Sequence, residues 1–306
     1  MANTREILDR KKSIQDTMKI TNAMYMISST KLRKTKKSLE QTEPYFYTLQ
    51  NMISRIMRHL PDIKNPYFDK RTEKTGTDRV RGIIIVTADK GLAGAYNHNC
   101  LKAALDRMDG TENYKLFLVG EVGRQYFAMR GIPVAEHFHY TAQNPSLHRA
   151  RIISETVIEQ FKRGELDEVD IVYTSMKNGI TMETKAMRLL PFETVETEDS
   201  EQLSGVAREP LVLKPTPDAV INNIVPDCVM GYVYGALVES FCCEQNARMM
   251  SMEAASKNAA AMIHDLSIEY NRARQAMITQ EITEVIAGAK AQKKKKEARK
   301  EVLSVD

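Results

Sequence analysis

The chain has 306 residues, of which 42% are hydrophobic, 7% are aromatic and none is tryptophan. This length fits two structural units better than one compact core, and the low aromatic content disfavours an all-β sandwich and suits long helices. The net charge is only +4, but basic residues are concentrated near both ends, with five between Lys31 and Lys37 and a further run from Lys293 to Lys296. This distribution indicates acidic partners at both ends of the chain.

The sequence contains no obvious membrane-spanning or secretory segment. No run approaches the roughly 20 apolar residues that a bilayer span needs, and Met1–Arg10 lacks the apolar core of a signal peptide. We therefore expect a cytoplasmic protein whose membrane association, if any, passes through a partner. The cysteines form no CxxC pair, and we expect all of them to be reduced thiols: Cys100, Cys228, Cys242 and Cys243.

Residues 1–60 predict a long N-terminal helix. The segment has no glycine, and its single proline, Pro44, is expected to kink or interrupt the helix. Residues spaced by seven form two heptad-like rows. One row is Ile7, Ile14, Thr21, Ser28 and Thr35, and the other is Lys11, Met18, Tyr25, Leu32 and Leu39.

Residues 215–291 predict a C-terminal coiled-coil segment, in which the long helix runs from Pro226 to about Ala291. Pro226 and Asp227 suit a helix start, and a row of residues spaced by seven follows: Val233, Ser240, Ala247, Ala254, Ala261, Ile268, Gln275 and Ile282. The alanines would let another helix approach closely. The pattern fits an antiparallel coiled coil with the N-terminal helix, or two separate amphipathic helices packed on a central domain. Residues 292–306 form a basic extension that we expect to continue the helix or to remain a charged tail.

Residues 78–214 alternate between short apolar runs and helical patterns, which predicts a small α/β domain with a mostly parallel sheet. The segment Val195–Glu209 is acidic and loop-like. The predicted strands are Arg81–Thr87, Lys115–Gly120, Pro133–Phe138, Glu168–Ser175 and Thr181–Phe192. The predicted helices are Asn97–Met108, one that ends near Arg130, and Pro145–Arg163.

The segment Asp89–Asn97 lies between a predicted strand and helix, where phosphate-binding loops occur. It matches neither GxxxxGK[ST] nor GxGxxG, so a tight turn packed on a neighbouring element is the favoured interpretation. His137 and His139 alternate on a possible strand, but no nearby ligand completes a metal set. No catalytic motif was found, and no cofactor or metal is expected.

Four motifs together resemble the gamma subunit family of the F-type (H+/Na+-transporting) ATP synthase. Lys19–Arg33 resembles the family stretch KITxAMxMVAxxKxR, and Tyr270–Ala289 resembles its C-terminal signature. Glu244–Met249 is similar to its SEQxARM segment, with Cys243 where serine is usual, and Asp89–Gly94 is similar to its D[RK]GLxG turn. Their order and spacing match over nearly the whole chain.

The resemblance implies an antiparallel coiled coil of the two terminal helices with a Rossmann-like α/β domain. It also implies a non-catalytic rotor shaft that couples rotation of the membrane c ring to ATP synthesis or hydrolysis at the beta subunits. The implied partners are three alpha and three beta subunits, the epsilon subunit and the c ring, at the cytoplasmic face of the cell membrane. The choice of H+ or Na+ would lie in the c subunits.

The same resemblance implies roles for individual residues. Met24 matches a position that faces the catalytic subunits, and the basic residues Lys31, Arg33 and Lys34 would meet an acidic loop of the beta subunit. Positions implicated in coupling correspond to Arg248, Gln275, Thr279 and Glu281. The foot that contacts the c ring corresponds to Leu213, Lys214, Pro215, Thr216 and Pro217. The family more often has an acidic residue where Lys214 stands.

Two other classes of protein remain open from the residues alone. A nucleotide-binding α/β protein with coiled-coil arms would bind ATP through Asp89–Asn97. A general coiled-coil interaction protein would self-associate. The chain departs from the family in its added segment Lys290–Asp306, and it has no cysteine in Val195–Glu209, so dithiol regulation is not expected.

Overall fold

The computed structural model describes residues 4–60, 64–71, 78–109, 113–138, 142–177, 181–192 and 213–302, with side chains up to residue 293. The acidic segment Val195–Glu209 and His139 lie outside these residues. The described elements are, in chain order, α1 Thr4–His59, β1 Arg81–Val86, α2 Tyr96–Met108, β2 Tyr114–Val119, α3 Glu121–Met129, β3 Glu136–Phe138, α4 Leu147–Lys162, β4 Glu168–Met176, β5 Met182–Leu190 and α5 Pro217–Val302.

The five strands form one sheet in the order β3-β2-β1-β4-β5. β1 pairs in parallel with β2 and β4, β2 pairs in parallel with β3, and β5 is antiparallel to β4 at the edge. The predicted mostly parallel sheet is therefore confirmed, although β3 begins at Glu136 and not at Pro133. The strand order reverses direction between β1 and β4, which makes the carboxyl end of β1 a topological switch point.

Both faces of the sheet are covered, which explains the continuous apolar runs in its central strands. In β1, Ile84 and Val86 belong to a core that includes residues of α1, α4 and α5. Ile83 and Ile85 point to the other face, where they pack with residues of α2 and α3. Burial on both faces thus makes β1 the centre of the α/β domain.

A charged network at the amino end of the sheet was not foreseen from the sequence. Asp170 on β4 is fully buried, and its carboxylate lies 2.7 Å from the Arg107 guanidinium of α2. It also pairs with Arg188 on β5. The neighbouring Glu168 pairs with Arg79, Arg81 and Arg188. These ion pairs connect β1, β4, β5 and α2 at one end of the sheet.

Helix α1 runs through Pro44, so the expected interruption is wrong, and the alternative of a kink stays a prediction. Pro44 is exposed, while Leu39 and Phe46 on either side of it pack against the core. The carbonyl group that loses its backbone partner at a helical proline can therefore be solvated. Packing of the flanking residues offsets the cost of the proline.

Helix α5 begins at Pro217, nine residues before the predicted start at Pro226. The Thr216 hydroxyl accepts a hydrogen bond from the amide of Ala219 at 3.2 Å, as expected of an N-cap residue. Pro217 and Asp218 then occupy the first turn, so they carry the same start signal that Pro226 and Asp227 show. Pro226 lies inside the helix, as Pro44 does in α1.

The chain forms two compact units, and both long helices contribute to each. The shaft unit contains residues up to Tyr25 and from Met252 onward, and the base unit contains Met26–Ser251. In the base unit, Ser38 and Tyr234 hydroxyls lie 3.3 Å apart, and Phe46 packs on Gly231 further along. A Cβ atom at position 231 would lie 2.2 Å from the Phe46 ring, so only glycine permits this approach.

Within the shaft unit, α1 and α5 also pair side by side. The hydroxyl groups of Thr21 and Ser256 lie 2.7 Å apart, and Ile7 and Leu266 are both buried. In the base unit, later residues of α1 contact earlier residues of α5, which confirms the antiparallel coiled coil. All ten residues of the two predicted α1 rows are buried or half-buried.

The predicted row on α5 is only partly correct. Val233, Ser240 and Ala247 are buried, but Ala254, Ala261 and Ile268 are exposed. The buried row in the shaft unit is Met252, Ala259 and Leu266, which Ser256, Ile263, Tyr270 and Ala273 accompany as half-buried residues. This buried row also has a spacing of seven, so the predicted register was wrong and the predicted spacing was not; Ala247 is buried against Ala88, Ala93 and Tyr96 of the α/β domain and does not belong to this row.

Ala259→Phe should destabilise the chain by about 1–3 kcal/mol, because a large ring at a buried alanine overpacks the contact between the helices. Ala261→Phe makes the same change in composition and helix propensity at an exposed position and should leave stability nearly unchanged. Urea unfolding of the two full-length variants measures the difference. Equal stability of the two variants would contradict the seam that Ala259 defines.

Candidate functional site

The turn after β1 lies at the carboxyl edge of the sheet, where open α/β sheets bind ligands. Two side chains of the turn Asp89–Asn97 form hydrogen bonds within the α/β domain. The Asp89 carboxylate accepts a hydrogen bond from the Glu121 amide at 3.1 Å, at the start of α3. Asn97 accepts one from the Ala88 amide at 2.9 Å. One oxygen of Asp89 and the side-chain oxygen of Asn97 thus fix the turn, while the second Asp89 oxygen is buried and has no hydrogen-bond partner among the described residues.

Helix α5 covers this turn. The Arg248 guanidinium donates to the carbonyl groups of Lys90 and Gly91 at 3.3 Å and 3.0 Å. It also lies 2.7 Å from the Glu244 carboxylate, and both side chains are more than nine-tenths buried. Burial raises the pKa of the Glu244 carboxyl, an effect that the Arg248 charge opposes. The arginine therefore bridges one turn of α5 and the loop at the end of β1.

Small residues complete the contact. Ala88, Ala93 and Tyr96 of the turn region pack with Cys243 and Ala247 of α5 in one apolar cluster. Gly94 has a φ of +53°, and a Cβ atom there would lie 3.0 Å from the Ser251 hydroxyl. The contact with α5 supports the interpretation of Asp89–Asn97 as a packed turn and gives no support to a nucleotide site there.

The basic face of α1 is a second feature of the base unit. Lys31, Arg33 and Lys34 are all exposed, together with Lys36 and Lys37. They lie on consecutive turns of one helix, which produces a concentrated positive surface. Such a surface attracts acidic partners at a range set by the ionic strength.

The last part of α5 is exposed on every side. Every side chain from Arg274 to Lys293 is exposed, including those of Gln275, Thr279 and Glu281. The Thr279 hydroxyl donates to the Gln275 carbonyl group of its own helix at 2.9 Å. Four aliphatic side chains in the same stretch are 44–72% exposed: Ile278, Ile282, Val285 and Ile286. We call Arg274–Lys293 the tip of α5.

The predicted foot lies where the chain enters α5. Leu213 is half-buried and packs against the main core, while Lys214, Pro215 and Thr216 are exposed. Pro217 is half-buried and begins the helix. Leu213 and the helix start therefore hold the exposed residues in place.

The structure does not bring the predicted residues into one site. Met24, which is half-buried, belongs to the shaft unit together with Gln275, Thr279 and Glu281. The basic face, the foot and Arg248 belong to the base unit. Sequence reasoning missed Glu244 as the partner of Arg248, although their spacing of four residues on a helix is the signal that could have found it.

Within the residues that the structure describes, no cluster of His, Cys, Asp and Glu is arranged to hold a metal ion. Nor does any helix there combine the length and the apolar character needed to cross a bilayer. The four cysteines are buried free thiols.

Two long antiparallel helices combined with an α/β domain whose ligand-binding edge is closed define a structural stalk protein. The model of the ATP synthase family matches residues 3–292. The ATP synthase gamma chain of Ruminiclostridium cellulolyticum is 41% identical over 291 residues, which cover 94% of this chain and 98% of that protein. The sodium ion specific gamma chain of Acetobacterium woodii is 37% identical over 302 residues, which cover 94% and 98%.

Solved structures agree on the fold. A chain of the Euglena gracilis mitochondrial ATP synthase, in the cryo-EM structure of OSCP, F1 and c-ring in rotational state 3, matches with a TM-score of 0.65 at 18% identity over 94% of both chains. A chain of the same synthase's rotor in rotational state 1 matches with a TM-score of 0.61 at 18% identity, over 90% of this chain and 98% of that one.

This chain belongs to the ATP synthase gamma chain family. As a gamma chain it is part of the central rotor stalk of an F-type ATP synthase, and the catalysis of that complex takes place in the beta subunits.

Replacing Arg248 by methionine should destabilise the chain by about 3–5 kcal/mol, because it leaves the Glu244 carboxylate buried without its partner. The exposed pair Glu253–Lys257 has the same spacing on the same helix, with a distance of 2.8 Å, and Lys257→Met should cost less than about 1 kcal/mol. Urea unfolding compares the two variants. A similar cost for both would show that the Arg248 contact does not hold α5 on the turn.

The cysteines should be unreactive in the folded chain at neutral pH. Burial raises the pKa of Cys100 to about 12 and that of Cys242 to about 11, so the reactive thiolate is nearly absent until the pH is strongly alkaline. Iodoacetamide labelling at pH 8, followed by mass spectrometry, should be slow in buffer and rapid in denaturant, where thiol pKa values return to about 8.5. Rapid labelling of the folded chain would contradict this burial.

Proposed function

We propose that this chain is the shaft that transmits rotation between the membrane c ring and the catalytic beta subunits, and that it regulates this coupling. Three alpha and three beta subunits would surround its helices, while the epsilon subunit and the c ring would contact its base. It would lie at the cytoplasmic face of the membrane as a peripheral protein held through the c ring. The observation that carries this proposal is the exposed tip of α5.

A helix with that surface is stable only with a partner. Isolated helices gain little from backbone hydrogen bonds alone, and most helices in proteins depend on packing of an apolar face. Ile278, Ile282 and Val285 follow the spacing of three and four residues that places them on one face. A surrounding protein ring would cover this apolar face, which solvent otherwise contacts.

The tip is also asymmetric, which is what a rotating shaft requires. Its aliphatic side chains lie along one face, and polar residues such as Gln280 and Glu284 lie on the opposite face. Each orientation of the tip would therefore present a different surface to each neighbouring subunit. Different contacts would favour different conformations of otherwise identical catalytic sites.

The basic face of α1 supports a second contact in the same proposal. Lys31, Arg33 and Lys34 would meet an acidic loop of the beta subunit, and half-buried Met24 would face the same subunits. Exposed ion pairs contribute only about 0–1 kcal/mol each and are screened by salt. Such contacts suit a surface that must bind and release at each step of rotation.

Arg248 would act in coupling by holding α5 on the α/β domain. Its guanidinium joins Glu244 of the helix to the carbonyl groups at the end of β1. The foot, Leu213–Pro217, would receive torque from the c-ring loops at the first turn of the same helix. Rotation of the foot would then be transmitted to the helix without slipping against the sheet.

Removing Gln275–Asp306 should reduce ATP-driven ion pumping strongly while leaving the α/β domain folded, because the deletion removes the tip and no described buried residue. Pumping is measured with the reconstituted synthase in vesicles, and subunit content is measured after purification from solubilised membranes. Wild-type pumping and complex yield in the truncated strain would contradict the proposal, as would purification of the chain without alpha and beta subunits.

The shorter deletion of Gln292–Asp306 serves as a matched control that keeps Arg274–Ala291 of the tip. We expect it to preserve coupling. If the basic extension acts as a brake through weak charge contacts, its removal should raise ATP hydrolysis at low salt and have little effect at high salt. Equal hydrolysis rates of the two proteins at both salt concentrations would exclude such a brake.

A further inference from the structure

A cavity of about 200 Å³ lies in the base unit between α1, α5 and the outer strands β4 and β5. None of the residues assigned above to the tip, the basic face or the foot contributes to it. Four aromatic rings and two carboxylates dominate its wall. They belong to Phe46, Tyr47, Tyr173, Tyr232, Glu43 and Glu239.

Two glycines of α5 face this cavity, and they have different roles. Gly231 is required because the Phe46 ring occupies the space of its side chain. Gly235, one turn later, has no neighbouring atom within 4 Å of an added Cβ. Glycine destabilises a helix interior relative to alanine, and no close contact explains it at position 235. The absence of a side chain at Gly235 instead keeps the cavity open.

The polar groups of the wall have unsatisfied capacity for hydrogen bonds. The Tyr232 hydroxyl is buried and has no hydrogen-bond partner among the described residues. Glu43 accepts a hydrogen bond from the Tyr47 hydroxyl at 3.1 Å, which leaves its second oxygen available. Burial raises the pKa of the Glu239 carboxyl, and the Lys185 charge on β5 opposes that shift in part.

We propose that this cavity binds a small organic cation, with a primary ammonium group on a single ring or a short aliphatic chain. The ammonium would donate to the Glu239 and Glu43 carboxylates and to the Tyr232 hydroxyl oxygen. The apolar body of the ligand would pack on Phe46 and the tyrosine rings, whose faces also attract a cation. The volume is below the 300–1,000 Å³ that is typical of drug-sized ligands, and the carboxylates exclude anions such as nucleotides.

The first test uses the full-length chain and three probes of nearly equal size: benzylammonium, benzyl alcohol and benzoate. Saturation-transfer NMR and calorimetric titration at low salt measure binding. We expect saturable binding of benzylammonium and no binding of benzoate. Benzyl alcohol should bind at least about tenfold more weakly than benzylammonium, since charge-assisted hydrogen bonds are about twice as strong as neutral ones. No saturable binding of the cation, or equal binding of the cation and the alcohol, overturns the proposal.

Variants locate the site. Glu239→Gln should weaken benzylammonium binding about tenfold, and Gly235→Leu should abolish it by filling the cavity. The control, Glu40→Gln, changes an exposed carboxylate one turn from Glu43 on α1 and should leave benzylammonium binding unchanged. Thermal unfolding verifies that each variant is folded, and Glu43→Gln replaces any variant that is not. Unchanged binding in folded Glu239→Gln and Gly235→Leu proteins overturns the site. Because these residues lie outside the tip, the basic face and the foot, this result is independent of the proposed rotor function.

Discussion

The buried pair of Glu244 and Arg248 determines how the long C-terminal helix relates to the α/β domain. Removing two charges from water costs several kcal/mol for each ion, and their mutual attraction offsets this cost only with additional hydrogen bonds. The carbonyl groups of Lys90 and Gly91 provide those bonds. A single guanidinium thereby links one turn of a helix to the loop at the end of the central strand, and an apolar replacement would not specify that alignment.

The same contact occupies the edge of the Rossmann-like sheet at which open α/β sheets bind ligands. In open α/β sheets the carboxyl end of the strand at the switch point is accessible. Here Ala88, Ala93 and Tyr96 pack beneath α5, and Asp89 fixes the start of α3. Gly94 of the turn permits the close approach of the Ser251 side chain of α5. The α/β domain therefore supports the long C-terminal helix at the edge where related sheets bind ligands.

Much of this fold could be predicted from the sequence because its elements are local. Short apolar runs between turn residues located every strand to within a few residues. The start of α5 was misplaced because Pro217 and Pro226 carry the same signal, and only the Thr216 cap distinguishes them. The buried row was lost beyond Ala247 because that residue is buried against the α/β domain, so its burial does not set the register of Met252, Ala259 and Leu266. The pairing of Asp170 with Arg107 and Arg188 required the sheet order, which no local pattern contains. The candidate coupling residues came from motif resemblance, and no physical pattern would have selected Gln275 or Thr279 from other exposed residues.

Helix α5 is continuous from Pro217 to Val302, yet its surface changes completely along its length. From Tyr234 to Arg248 most side chains are buried, and they pack on the sheet and on α1 within the base unit. From Arg274 onward no described side chain is buried, although aliphatic residues still recur with helical spacing. The apolar face of the tip extends past the contacts within the chain, so it contributes nothing to folding of the chain itself. An apolar face there is useful only when another protein completes it, and a covering that must permit rotation has to be smooth and weakly bonded. The aliphatic side chains of the tip meet that requirement better than ion pairs would, because dispersion and hydrophobic contacts are not directional. We propose that the basic face of α1, in contrast, makes contacts that differ from one orientation of the shaft to the next.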